Sequence, residues 1–320
     1  MWVGFPSHEE LWAENLPAAQ AEVAALALAL AGPGGEQVRL LVCGDAAEAA
    51  ARALVADAPA INLVQGRFGD VWLRDTGPIF LQRDGSHRAA GFRFNGWGGK
   101  YVLEGDETVA DQIAGASATP LETNDFVMEG GALDHDGMGC VLTTRQCLLN
   151  PNRNPGWSEA VAEAALTKAL GAKKVLWLGD GLANDHTDGH VDNLARFVAP
   201  GVVACPIAWG RADPNGDVYD AAARRLAGMT DARGAPLQVA RIASPGRILN
   251  DEGEVVPASH MNFLIANTAV IAPIYDDQAG EFALQALRDL FPARAVIGLP
   301  SRALLTGGGS FHCITQQEPA

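Results

Sequence analysis

The sequence predicts an α/β protein, and a repeat within it predicts strand-rich units set around an axis. Two observations carry the class. Helical stretches alternate with short β runs along all 320 residues, and no linker-like or low-complexity segment divides them. Three of the helices lead into a β run that ends in a turn, at Val38–Cys43, Val175–Leu178 and Ala295–Leu299. The third observation is repetition. Five times a polar or glycine-rich cluster sits on or beside a strand-like run that reads as a hairpin: Leu73–Phe94, Val127–Leu149, Gly189–Ile207, Ser259–Ile274 and Leu304–Thr315. With Asp75, Glu129, His190, Asn262 and Cys313 as markers, the steps are 54, 61, 72 and 51 residues. Units of roughly sixty residues, each with one helix, suit a radial array whose markers meet near the centre. An ordinary α/β chain would also give hairpins at such loose intervals.

The first helix is expected over Pro17–Ala31. Proline suits a first helical position, Glu22 lies near the N-terminal end, and Gly32 stops the run. Glu9, Glu10 and Glu14 precede it in place of a basic segment, so it is a helix and not a secretory signal. Further helices are expected at Ala46–Ala56, Ser158–Leu170 and Gln278–Leu290. No apolar run reaches the length of a membrane span, the lack of a basic leader points to the cytoplasm, and 320 residues could make one large domain or two ordinary ones. A net charge of −15 makes nucleic acid and anionic membranes poor partners and would draw in small cations, although many soluble proteins carry such a charge. The five cysteines are odd in number and widely spaced, without a Cys-x-x-Cys pair, so neither a disulfide framework nor a thiolate zinc site is indicated.

The densest cluster of acid and imidazole is Asp185-His186-Thr187-Asp188-Gly189-His190-Val191-Asp192. His186 and His190 would share a metal only on a helix. Gly189 and the β-like run His190–Val198 argue for a loop entering a strand, with His190 and Asp192 on one face. Such a pair suits acid/base work beside a charged substrate, or a purely structural contact. Near the end, Gly307-Gly308-Gly309-Ser310-Phe311-His312-Cys313 lacks the Lys-Ser/Thr of a phosphate loop and precedes no helix. Its glycines allow close approach of backbone to a ligand, and a thiol after them can be reactive if its pKa is lowered. Asp75 before Thr76-Gly77-Pro78 and Glu129 before Gly130-Gly131 each place a carboxylate at a chain turn.

Taken together, Trp72-Leu73-Arg74-Asp75-Thr76-Gly77-Pro78, Phe94-Asn95-Gly96-Trp97-Gly98-Gly99, Glu129-Gly130-Gly131, Leu149-Asn150-Pro151-Asn152-Arg153-Asn154-Pro155, Gly189-His190-Val191-Asp192-Asn193, Asn262-Phe263 and Gly307 through Gln317 resemble the agmatine deiminase family. That family lies within the guanidino-modifying superfamily, which also holds bacterial peptidylarginine deiminases. The resemblance implies a five-bladed pseudo-symmetric α/β propeller, the pentein fold, with residues 1–320 as a single catalytic domain of five repeats around a central site. It implies Cys313 as nucleophile, His190 as general acid/base, Asp75 and Asp192 as the carboxylates gripping a guanidinium, and Glu129 as the carboxylate supporting the histidine and the substrate. Trp72 and Trp97 would line the pocket, and Asn262 would stand near the nucleophile. The implied reaction is hydrolysis of agmatine to N-carbamoylputrescine and ammonia through a covalent cysteine intermediate. The alternatives are a peptidylarginine or other small-guanidine deiminase, or an amidinotransferase. No metal or organic cofactor is expected. The expected partner is a small cationic guanidino substrate, and a homodimer is compatible with the sequence.

Overall fold

Local chemistry sets the elements in a computed structural model that describes residues 1–83, 85–275 and 277–320. β1 (Trp2–Gly4) leads to helix α1 (Leu16–Ala31), which has proline in its first turn and ends at Gly32. Alanines 19, 24 and 27 lie on its buried side and let it approach a sheet closely. β2 (Val38–Val42), α2 (Asp45–Leu54) and β3 (Ile61–Gln65) follow, with both strands parallel to β1.

A second pattern then repeats four times: two antiparallel strands, a helical crossover, and a third strand parallel to the second. The first repeat runs β4 (Ile79–Arg83), β5 (Ser86–Arg93), α3 (Val109–Ala116) and β6 (Leu121–Val127). The next is β7 (Leu133–His135), β8 (Cys140–Thr144), α4 (Glu159–Leu170) and β9 (Lys174–Leu178). Ser158 caps α4 by accepting the Val161 N–H, and Gly171 ends it in the left-handed region. The third is β10 (Arg196–Ala199), β11 (Val202–Ile207), α5 (Gly216–Ala227) and β12 (Gln238–Ala243). The fourth is β13 (Leu264–Ile265), β14 (Ala269–Ile274), α6 (Asp277–Leu290) and β15 (Ala295–Pro300). β16 (Thr315–Gln316) then pairs antiparallel with β1, opposing Trp2 to Gln316 and Val3 to Thr315. Five small sheets result among the described residues.

Apolar packing lies between sheets and helices. Val3, Leu40 and Val42 pack with Leu26 and Leu30 of α1 and with Phe311 and Ile314 before β16. Leu142 and Leu176 of one repeat share a cluster with Phe197, Val203, Tyr219 and Leu226 of the next, which seals neighbouring units together.

The five expected hairpins need one correction. Four exist, but Leu304–Thr315 does not fold back on itself. Leu304 belongs to a short helix, Arg302–Thr306, and the antiparallel partner of β16 comes from the opposite end of the chain. The run from His190 also differs: Val191–Asn193 form a 3₁₀ turn and the strand starts only at Arg196. Buried Asp192 and Asn193 both receive the Asn262 side chain, a pull inward that strand geometry would not permit for two successive residues. Four of the markers precede the first strand of a hairpin and the fifth, Cys313, precedes β16. The turns that carry them are what the topology brings together.

Candidate active site

Cys313 is held from three sides. The Asn262 Oδ1 accepts the backbone N–H of His312 at 2.8 Å and of Cys313 at 3.3 Å. That choice turns its Nδ2 toward Cys313 Sγ at 3.2 Å and toward Asp192 Oδ2 at 3.4 Å. Below, buried Arg74 donates its backbone N–H to the Cys313 carbonyl at 3.0 Å and its Nε to the His312 carbonyl at 3.3 Å. The glycines are a steric requirement. A Cβ on Gly309 would stand 2.5 Å from the Trp72 ring and 3.1 Å from Cys313 Cβ. On Gly307 it would meet Trp12 at 2.7 Å and Trp72 at 2.9 Å. Both indoles are tied down by buried Asp70, which accepts Trp12 Nε1 at 3.0 Å and Trp72 Nε1 at 2.8 Å.

The carboxylates lie beside the thiol. Asp192 Oδ2 is 3.7 Å from Cys313 Sγ and 2.8 Å from His312 Nδ1. Burial, helped by Arg196 and Arg74, holds His312 well below the usual histidine range, so the neutral ring can donate to Asp192. Burial also pushes Asp192 up to about 7, with His190 pulling it down and Asp75 pushing it up. Asp75, on the short helix Leu73–Thr76, accepts Trp97 Nε1 at 2.9 Å on one oxygen and the Gly131 N–H at 2.9 Å on the other.

His190 completes the group, with Nδ1 3.8 Å from Asp75 Oδ1. A Cβ on Gly131 would fall 2.5 Å from that nitrogen, so only glycine lets the Glu129 turn reach the ring. Burial opposes a charge on His190, but Asp75, Cys147 and Glu129 outweigh it and raise its pKa well above the usual value. Burial likewise raises Cys313 far above an ordinary thiol, and Asp192 and Asp75 add to the effect. The unliganded site therefore pairs an imidazolium with a neutral thiol.

All eight residues singled out in the sequence, Cys313, His190, Asp192, Asp75, Glu129, Trp72, Asn262 and Trp97, come together here. Three participants were not singled out. Arg153, fully enclosed, donates Nε to Glu129 Oε1 at 2.6 Å, Nη1 to Asp188 Oδ2 at 2.7 Å and Nη2 to the Thr187 carbonyl at 3.0 Å. It thereby joins the Glu129 turn to the loop before His190. Cys147 has its sulfur within 4.8 Å of ligating atoms of both Glu129 and His190, and His312 braces Asp192. Of these, Arg153 and His312 stood inside quoted motifs and Cys147 did not. His186 is set apart from His190: it is exposed and stacks on Tyr101 with ring centroids 5.8 Å apart. Asp188 is already engaged by Lys100 Nζ at 2.6 Å, Asn152 and Arg153.

A thiol, a histidine and two inward carboxylates can bind a planar cation by its N–H edges and attack its carbon. The model of the Porphyromonas-type peptidyl-arginine deiminase family matches residues 1–319. The chain belongs to that family. Within and around this deiminase family, it is 38% identical to the agmatine deiminase of Stutzerimonas stutzeri (strain A1501), over all of this chain and 92% of that protein. The solved agmatine deiminase of Enterococcus faecalis superposes with a TM-score of 0.93 at 33% identity, covering 99% of this chain and 92% of that one. A substrate-bound agmatine deiminase of C. jejuni superposes at 0.86 with 26% identity, covering 98% and 91%. The five sheets are those of the pentein propeller shared by these deiminases.

Proposed function

We propose that residues 1–320 form one catalytic unit that hydrolyses agmatine to N-carbamoylputrescine and ammonia. The observation that carries this reading is the placement of two buried carboxylates at the reacting groups, Asp192 Oδ2 at 3.7 Å from Cys313 Sγ and Asp75 Oδ1 at 3.8 Å from His190 Nδ1. The guanidinium lies against Asp75 and Asp192, which take its paired N–H donors and present its carbon to sulfur. Its charge offsets the carboxylates that keep Cys313 protonated, so when substrate is present the thiol releases its proton to solvent and the thiolate forms. Sulfur attacks the guanidino carbon and makes a C–S bond. His190 gives its proton to one nitrogen, which leaves as ammonia when the C–N bond breaks. The amidino thioether remains. Neutral His190 then takes a proton from water as its oxygen attacks the same carbon. Collapse breaks the C–S bond, and sulfur regains its proton as the ureido product departs. Glu129, neutralised by Arg153, steadies His190 throughout.

Agmatine is favoured over other guanidines by the relatives' activity and by the −15 net charge, which attracts a dication. Arg74 gives its Nε to the His312 carbonyl, and its Nη2, without a hydrogen-bond partner among the described residues, already feels the charges of Asp192 and Asp75 beside the nucleophile, which leaves it poorly placed for a carboxylate at the substrate's far end. Ammonia release from agmatine, free arginine and a peptide ending in arginine tests the reading. Agmatine is expected to have the highest kcat/KM by at least about tenfold, the loss of roughly 1.4 kcal/mol for an unmatched carboxylate. Equal values for agmatine and the peptide would shift the assignment to peptidylarginine.

A further inference from the structure

Cys147 takes no part in that reaction, yet its thiol stands in the wall of the same site. It lies on the short helix Arg145–Leu148, which two neighbours lock against the loop leading to His190. Thr144 accepts the Cys147 N–H at 3.3 Å and donates its own hydroxyl to the Gly189 carbonyl at 2.6 Å. Gln146 Oε1 accepts the Gly181 N–H at 2.7 Å. The sulfur is thereby delivered to His190 and Glu129. One sulfur, one ring nitrogen and one carboxylate oxygen lie within 4.8 Å of one another, and all three residues are at most 1% exposed. Among the described residues, neither ring nitrogen of His190 finds a well-formed hydrogen bond.

We propose that Cys147, His190 and Glu129 bind one borderline-to-soft divalent cation, of the zinc or cadmium class, and that this cation arrests the enzyme by occupying His190. The donor set is that of a zinc site, with a thiolate, an imidazole and a carboxylate on three corners of a tetrahedron. Such ligand atoms stand roughly 3.3–3.8 Å apart around zinc, so the three need close by at most about 1.5 Å. The thiolate selects against magnesium and calcium, which take oxygen ligands. Binding displaces one proton from the Cys147 thiol and one from the His190 imidazolium, so affinity rises with pH. Two negative ligands offset the cation's charge. Two protons leave as the cation enters, so the charge beside Asp75, whose Oδ1 is 3.8 Å from His190 Nδ1, does not change; the arrest falls on kcat, because a metal-bound His190 can neither give nor take a proton.

The arrest rests on the role given to His190 above, whereas the binding does not. The test therefore measures binding first, on the full chain, by dialysis against zinc with metal analysis and by the thiolate-to-metal absorption of the cobalt(II) form. The wild type and Cys313→Ser should each hold one zinc and show the thiolate band. Cys147→Ser and Cys147→Ala, checked for folding by circular dichroism, should bind at least about a hundredfold more weakly. Zinc retained by either folded Cys147 variant, zinc lost in Cys313→Ser, or the lack of stoichiometric binding would overturn the site. Ammonia release undiminished at saturating zinc would overturn the arrest and, with it, the part assigned to His190.

Discussion

Replacing Arg153 by methionine tests how the site is held together. The guanidinium is 1% exposed and meets Glu129, also 1% exposed, at 2.6 Å. Without it the Glu129 carboxylate would be buried alone, and breaking such a pair costs about 3–5 kcal/mol. A second route bounds the loss. Burial already raises Glu129 above its usual 4.5, against the pull of Arg153, so in the variant it becomes protonated. Protonating a carboxyl of pKa 4.5 at pH 7 costs about 3.4 kcal/mol, and at pH 5.5 only about 1.4 kcal/mol. The sign is fixed. The folded variant holds a proton that the unfolded chain has lost above pH 4.5, so stability falls as pH rises, by about 1.4 kcal/mol per unit. Denaturant melts of wild type and Arg153→Met at pH 5.5, 6.25 and 7 read this slope directly. A further change, Glu129→Gln, in the Arg153→Met background removes the titrating group and should abolish the extra slope. A deficit independent of pH, or a double variant as pH-sensitive as the single, would refute the reasoning.

Three more predictions follow from the same geometry. Cys313→Ser should lower ammonia release from agmatine by at least about a thousandfold with an unchanged melting curve, because a hydroxyl is a far weaker nucleophile at neutral pH; substantial turnover would remove Cys313 from the mechanism. Gly131→Ala forces a methyl to within 2.5 Å of His190 Nδ1 and 2.8 Å of Asp75 Oδ1, so kcat should fall about a hundredfold, as for a displacement of about 1 Å; wild-type kcat would show that the turn yields freely. In pH profiles, kcat/KM should rise through about 7, where Asp192 ionises in the free enzyme, while the corresponding limb of kcat lies lower because bound cation favours the carboxylate. A kcat/KM limb near pH 5 contradicts the burial of Asp192.

The fold was legible because each repeat ends in a polar turn that must point inward. Asp75, Glu129, His190, Asn262 and Cys313 mark those turns at loose but recurrent intervals, and local patterning also reveals α1, α4 and α6. The α3 and α5 crossovers were not singled out, although Val109, Ala110, Ile113 and Ala114 in one and Tyr219, Ala222 and Leu226 in the other recur at helical spacing and are buried. The strand expected at His190 failed because side-chain contacts to Asn262, remote in sequence, override a β-like composition. Arg153, Cys147 and His312 were missed for a related reason. Their partners lie 24, 43 and 120 residues away, and nothing local distinguishes them from a loop arginine, a core thiol and a buried histidine.

The pairing of β16 with β1 makes the propeller a ring fastened by a clasp. Trp2 Nε1 and Arg39 Nη1 both donate to Glu318, which latches the outer end of the clasp at 2.9 and 2.8 Å. Cys313 sits two residues before β16, so the nucleophile reaches its place only when the two ends of the chain have met. A nascent chain with four finished sheets would hold the carboxylates and His190 but have no poised thiol, and would be chemically silent until it closed. The same geometry makes the ends replaceable. A short linker joining Ala320 to Met1 would turn the clasp into an ordinary hairpin, and the ring could be reopened at an exposed loop such as the one between β11 and α5. Such a permutant should fold with the active centre intact, its seam moved to a sheet that carries no nucleophile.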